Sequence, residues 1–158
     1  MAEVQNIDEA RVRQRLNRLV GEWAQGRTSI KEIAGISDEE LYSLSIQGYY
    51  LFLQGRFQSA QILFEGLVAI DPRNAYNYRA LGAIYWRLKE PQKALRQLTY
   101  AIRVSPTELS AYVNRAEIYV SLREVQNARS DLRYILSSVD PNVESLRQKA
   151  RALLSMID

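Results

Sequence analysis

The sequence predicts an all-α fold: a solenoid of three helix pairs, with a helical extension before it and a capping helix after it. Three observations predict this. Leu41 to Asn142 reads as three rows of 34 residues, 41–74, 75–108 and 109–142. Small residues recur at that step, with Gly48, Gly82 and Ala116 in one register and Ala60, Ala94 and Ala128 in another. Each row also holds two apolar patterns of helical spacing around a short polar turn: Gln54-Gly55-Arg56, Lys89-Glu90-Pro91 and Arg123-Glu124.

The aromatic and proline positions complete the pattern. Leu51, Tyr85 and Tyr119 share one register, Pro72 and Pro106 close two rows, and Pro141 comes one residue late. A proline cannot continue a helix, so each ends a pair. A fixed period of this kind is the signature of tetratricopeptide repeats. The residues without bulk let the first helix of a pair lie close on the second. No single pair can bury its apolar face alone, and about three stacked pairs make a stable solenoid.

The flanks are read by the same rules. Asp8 is placed to cap a helix running to about Ala24, with Val12, Leu16, Leu19, Val20 and Trp23 on one face. That face needs a partner, either the first repeat or a second copy of the chain. Ser29 with Glu32, and Ser37 with Glu40, form capping-box patterns, and Gly35 suits a left-handed C-cap. Ile30 and Ile33 are expected to point inward. At the other end Asn142 is placed to cap a last helix, Val143 to Ile157. The resulting units are 1–40 as extension, 41–142 as repeats and 143–158 as cap.

Composition removes several classes of function. The chain has 158 residues, no cysteine and no histidine. Thiolate chemistry, disulfides, the commonest general base and the commonest metal ligand are therefore absent. No glycine-rich phosphate loop and no recurring carboxylate pair replaces them, so neither an enzyme nor a metal or cofactor site is expected. No run of about 18 apolar residues suggests a membrane span, and Met1–Glu9 has no secretory h-region. Residues 1–40 carry 6 basic and 8 acidic side chains, and residues 41–158 carry 15 and 10. The bases are scattered singly among acids, which argues against nucleic acid.

In a solenoid of this type the first helix of each pair lines the concave side. The side chains placed there are Tyr42, Ser45, Tyr49 and Phe52 in the first row. The second row gives Tyr76, Arg79, Ala83 and Trp86, and the third Ser110, Val113, Glu117 and Val120. Amphipathic aromatics on a concave wall are suited to anchoring a peptide. Tyr85 and Tyr119 are assigned to the core. Gln47 and Arg115 stand where the second row has a packed Leu81, and Arg115 can either snorkel or pair with Glu117 or Asp131.

Leu41-Tyr42-Ser43-Leu44, Tyr49, Gly55-Arg56-Phe57 and Ala60 are similar to the pattern LYSLAFxxYxxGKYxDAxxxF, and Gly26-Arg27-Thr28 and Ile36-Ser37 to its lead-in. On these residues the chain resembles the class II, or translocator, chaperones of bacterial type III secretion. The resemblance implies a cytoplasmic chaperone without ATPase activity. It implies that an extended PxLxxP-like segment of a hydrophobic translocator lies in the concave groove, with Tyr42 and Tyr49 as contacts and Ile46 where some members carry an aromatic. It also implies homodimerisation through the N-terminal extension. The pI near 9.2 departs from the acidic character common in that family. The other reading is a generic repeat scaffold that joins two proteins without a role in secretion.

Overall fold

The computed structural model describes residues 9–157. Helix α1 spans Glu9–Ala24 and α2 spans Ile30–Ala34. Three antiparallel pairs follow: α3 (Asp38–Leu53) with α4 (Phe57–Ile70), α5 (Ala75–Arg87) with α6 (Pro91–Val104), and α7 (Leu109–Ser121) with α8 (Val125–Ser137). A 3₁₀ turn at Pro141–Val143 leads into α9, Glu144–Leu154. No strand occurs among the described residues.

From α3 onward each helix packs on the next, α2 packs on α4, and α5 also meets α3 and α7, while α9 meets both α8 and α7. Thus α3, α5, α7 and α9 form an inner layer, and α4, α6 and α8 an outer one. Helix α9 takes the place that a first helix of a fourth pair would take. Its Ala150 is fully buried in one cluster with Leu109, Tyr112, Val113, Leu132 and Ile135.

The small residues act as expected. A Cβ on Gly48 would lie 2.6 Å from Cε2 of buried Phe64, and one on Gly82 would lie 2.7 Å from Cγ of buried Leu98. Ala60, Ala94 and Ala128 are each 0% exposed. The turns within the pairs hold a feature that composition does not announce. Gly55, Lys89 and Arg123 all have positive φ, at 74°, 63° and 61°. They stand 34 residues apart, and the N–H after each reaches back five residues to a carbonyl of the preceding helix: Arg56 to Leu51, Glu90 to Tyr85, Glu124 to Tyr119. A left-handed residue at a helix C-terminus satisfies the last carbonyls, at a cost when it is not glycine.

Both capping boxes form, Ser29 with Glu32 and Ser37 with Glu40, and Gly35 is left-handed at φ 67°. Glu32 also accepts from the Thr28 hydroxyl at 2.8 Å and from Arg73 at 2.5 Å, which ties α2 to the end of α4. The Ser29 N–H first, then Thr28 and Arg73, hold its carboxyl down at about 2.

Two details differ from expectation, and the structure decides a third that the sequence leaves open. Ile30 is 37% exposed, because so short a helix has little surface to pack. The last helix spans Glu144–Leu154 and not Val143 to Ile157: Asp140, accepting the Asn142 N–H at 2.9 Å, starts a 3₁₀ turn before it, and residues 155–157 are a turn after it. Arg115 does not snorkel: Nε and Nη2 make a bidentate pair with Asp131 at 2.8 and 2.7 Å, and Nη1 donates to the Thr99 hydroxyl at 3.0 Å.

Candidate functional site

The site lies on the inner layer between α3 and α5. Residues 42, 45, 46, 49 and 52 follow helical spacing, so α3 presents them along one face. Tyr42 is 67% exposed and Tyr49 49%. Ile46 is exposed beside them, and Phe52 is half-buried, edge-on to Phe57 at 5.5 Å between centroids. Ser45 is buried and its hydroxyl donates to the Tyr42 carbonyl at 2.7 Å, so its polar group is used within the helix.

From α5 come Tyr76, Arg79 and Ala83. The Tyr76 ring is 6.2 Å from that of buried Phe64, and the Arg79 guanidinium lies over the Tyr76 ring at 5.1 Å. Burial pushes the Tyr76 phenol above its ordinary value, against the opposing charge of Arg79. Arg79 Nε sits 3.2 Å from a Glu108 carboxylate oxygen, an ion-pair distance without hydrogen-bond alignment.

Two adjoining cavities result. The first, about 740 Å³, is lined by Tyr42, Ser45, Ile46, Tyr49 and Tyr76, with Asp38, Glu39 and Asn74 at its mouth. The second, about 400 Å³, is lined by Tyr49, Phe52, Tyr76, Arg79 and Ala83 over a floor of Phe64 and Ile84. Tyr49 and Tyr76 belong to both, so the two lie side by side. The walls are apolar and phenolic with few charged groups, and volumes of this size accommodate several side chains of an extended segment.

The remaining predicted groove residues are placed differently. Trp86 is half-buried and packs on the main core, outside both cavities. Val113 is 1% exposed, a core residue and not a wall, because α9 covers α7. Glu117 is held by Lys149 of α9 at 2.8 Å. Val120 is half-buried away from the cavities. The capping helix thus occupies the C-terminal part of the concave face. Asp38, Glu39 and Asn74 were not singled out from sequence. Asp38 stands four residues before Tyr42 on the same face, which is the signal that would have found it.

Of the residues expected on the apolar face of α1, the side chains of Val12 and Leu16 lie outside the described residues. Leu19 is half-buried, while Val20 and Trp23 are 57% and 51% exposed. No extensive packing joins α1 to another element among the described residues.

No metal-binding group of three or more acidic side chains occurs among the described residues. Among the described residues no helix is long and apolar enough to cross a membrane.

No family model matches the chain. It is 30% identical over 111 residues to a DnaJ homolog subfamily C member 7 homolog of Schizosaccharomyces pombe, covering 68% of this chain and 23% of that protein. The chain thus spans about a quarter of that relative's length. Solved structures match far more completely. The translocator chaperone SycD of Yersinia enterocolitica has a TM-score of 0.77 at 20% identity, over 81% of this chain and 97% of that one. PcrH of Pseudomonas aeruginosa has a TM-score of 0.72 at 25% identity, over 77% of this chain and 94% of that one. The chain has the fold of the tetratricopeptide-repeat translocator chaperones of type III secretion, and resembles them over about four-fifths of its length.

Proposed function

We propose that this protein is a type III secretion chaperone that binds an extended segment of a hydrophobic translocator in the inner groove. The observation that carries the reading is the pair of adjoining cavities that share Tyr49 and Tyr76. Support comes from PcrH, whose structure in complex with the chaperone-binding region of PopD matches at 26% identity and a TM-score of 0.72.

The physics suits the task. Segments that insert into membranes aggregate in water, and a cytoplasmic chaperone keeps them soluble by covering apolar surface. An extended peptide loses modest conformational freedom in a preformed groove. Leucine and proline side chains displace water from between the rings of Tyr42, Tyr49 and Tyr76, and the phenols remain free to bond the peptide backbone. Val20 and Trp23 offer an apolar patch for a second copy of the chain; SycD has been solved as a dimer.

The test is fluorescence anisotropy with a labelled peptide carrying a Pro-Ala-Leu-Ala-Ala-Pro core. Tyr49→Ala combined with Tyr76→Ala is expected to weaken binding at least about tenfold, in the range of two anchor residues. Circular dichroism checks that the helices persist. An unchanged affinity would overturn the groove assignment and favour a general scaffold.

A further inference from the structure

The outer face carries a second cleft of opposite chemistry. Helices α6 and α8 both pack on α7 but not extensively on each other. Where α6 meets the end of α7 and the turn before α8, a cavity of about 420 Å³ opens, lined by Arg96, Thr99, Tyr100, Arg103, Tyr119 and Glu124. Arg96, Tyr100 and Arg103 are exposed, and the Arg103 guanidinium stands 5.8 Å from the Tyr100 ring.

The repeat itself shows what fills such a cleft. One row earlier, the residues at the positions of Arg96, Thr99, Arg103 and Tyr119 are Ile62, Glu65, Ala69 and Tyr85. There the Tyr85 hydroxyl donates to the Glu65 carboxylate at 2.5 Å, and Lys93 lies 5.4 Å over the Tyr85 ring. The hydrogen bonds from Tyr85 and then Gln61 hold the Glu65 carboxyl below its ordinary value. That cleft carries its own anion.

In the next row the anion is gone and cations have been added. Thr99 donates to the Leu95 carbonyl at 2.8 Å and accepts from Arg115 at 3.0 Å, so it supplies no charge. Arg115 is already balanced by Asp131. Glu124 stands at the rim, engaged by Asn127 at 2.7 Å. The lining of the cleft therefore has two exposed arginines against one carboxylate.

We propose that this outer cleft binds an acidic segment of a partner protein, with a carboxylate seated beside Tyr119 as Glu65 is seated against Tyr85. The site is separate from the inner groove. A lone carboxylate suits it better than a chain of phosphates, which would meet Glu124 at the rim.

The probe is the labelled peptide Gly-Glu-Ala-Glu-Ala-Glu-Gly, with a glutamine counterpart, titrated into the full chain at low and high salt. The glutamate peptide is expected to bind at least about tenfold more tightly at low salt, and less so at high salt. Arg96→Ala with Arg103→Ala should weaken it about tenfold. Thr99→Glu, which restores the internal anion and keeps both arginines, should weaken it comparably. Tyr49→Ala with Tyr76→Ala should leave it unchanged, whatever that pair does to the inner groove. Melting curves by circular dichroism confirm that each variant is folded. Equal affinity for the two peptides, or wild-type binding by the double arginine variant, overturns the proposal. Tighter, arginine-dependent binding of an oligonucleotide or a phosphatidylserine vesicle overturns the choice of a protein partner.

Discussion

The two ends of the inner layer are built on one frame and finished differently. Between α3 and α5 the surface is open, with exposed tyrosines over two adjoining cavities. Between α7 and α9 it is closed: Val113 is core, and Glu117 is tied to Lys149 at 2.8 Å. Beneath, the same divide appears in the packing between paired helices. The second pair has Leu81 and Gln97 where the third has Arg115 and Asp131. A repeat fixes the path of the backbone and leaves each row free to decide what covers it. The surface proposed for binding lies where the next inner helix leaves apolar side chains uncovered.

The largest effect should come from breaking the ionic half of that contrast. Asp131→Asn leaves the Arg115 charge without its partner in a site where the two side chains are 16% and 6% exposed. It is expected to cost about 3 kcal/mol of stability in urea denaturation. The paired change Arg115→Leu with Asp131→Gln, which copies the second row, should recover most of that loss. A double variant as weak as the single one would show that the ion pair is itself needed.

The next effect tests the shared frame. Gly82→Ala gains helix propensity but places a Cβ 2.7 Å from Leu98 Cγ and 3.3 Å from the Ala94 carbonyl. A net loss of about 1–3 kcal/mol is expected. The third row already carries Ala116 at this position, so Ala116→Gly should not bring a comparable gain. Equal tolerance at both sites would mean that the interhelix distance does not differ between the rows.

The smallest effect concerns the junction before α3. Glu32 has its carboxyl held at about 2, below the usual carboxylate value of 4.5. Its contribution is present above about 4.5 and is lost as the pH falls towards about 2. Glu32→Gln should flatten the acid limb of the melting temperature between those values and change little at neutral pH. An identical acid limb in the variant would mean that Glu32 does not anchor α2.

Much of this was legible in the sequence because helix pairs depend on local spacing. The small residues, the capping boxes and the tyrosines of α3 all announce themselves by position. What was hidden depends on neighbours distant in the chain. Val113 and Glu117 have the spacing of wall residues, and only the docking of α9 removes them. Trp86 has the same spacing and turns onto the core. Lys89 and Arg123 show no glycine to betray their left-handed backbone; the one signal is their distance of 34 residues from Gly55. Arg115 left two readings open, because its choice rests on Asp131 one helix away.

The ion pairs along the inner layer have a mechanical side. Arg79 with Glu108, and Glu117 with Lys149, brace the inner layer from α5 towards α9, while no such brace joins α3 to α5 among the described residues. A curved stack strutted along part of its inner edge does not flex evenly. The first joint is then expected to be the softest, and the proposed groove would widen there around a bound segment while the far end keeps its curvature.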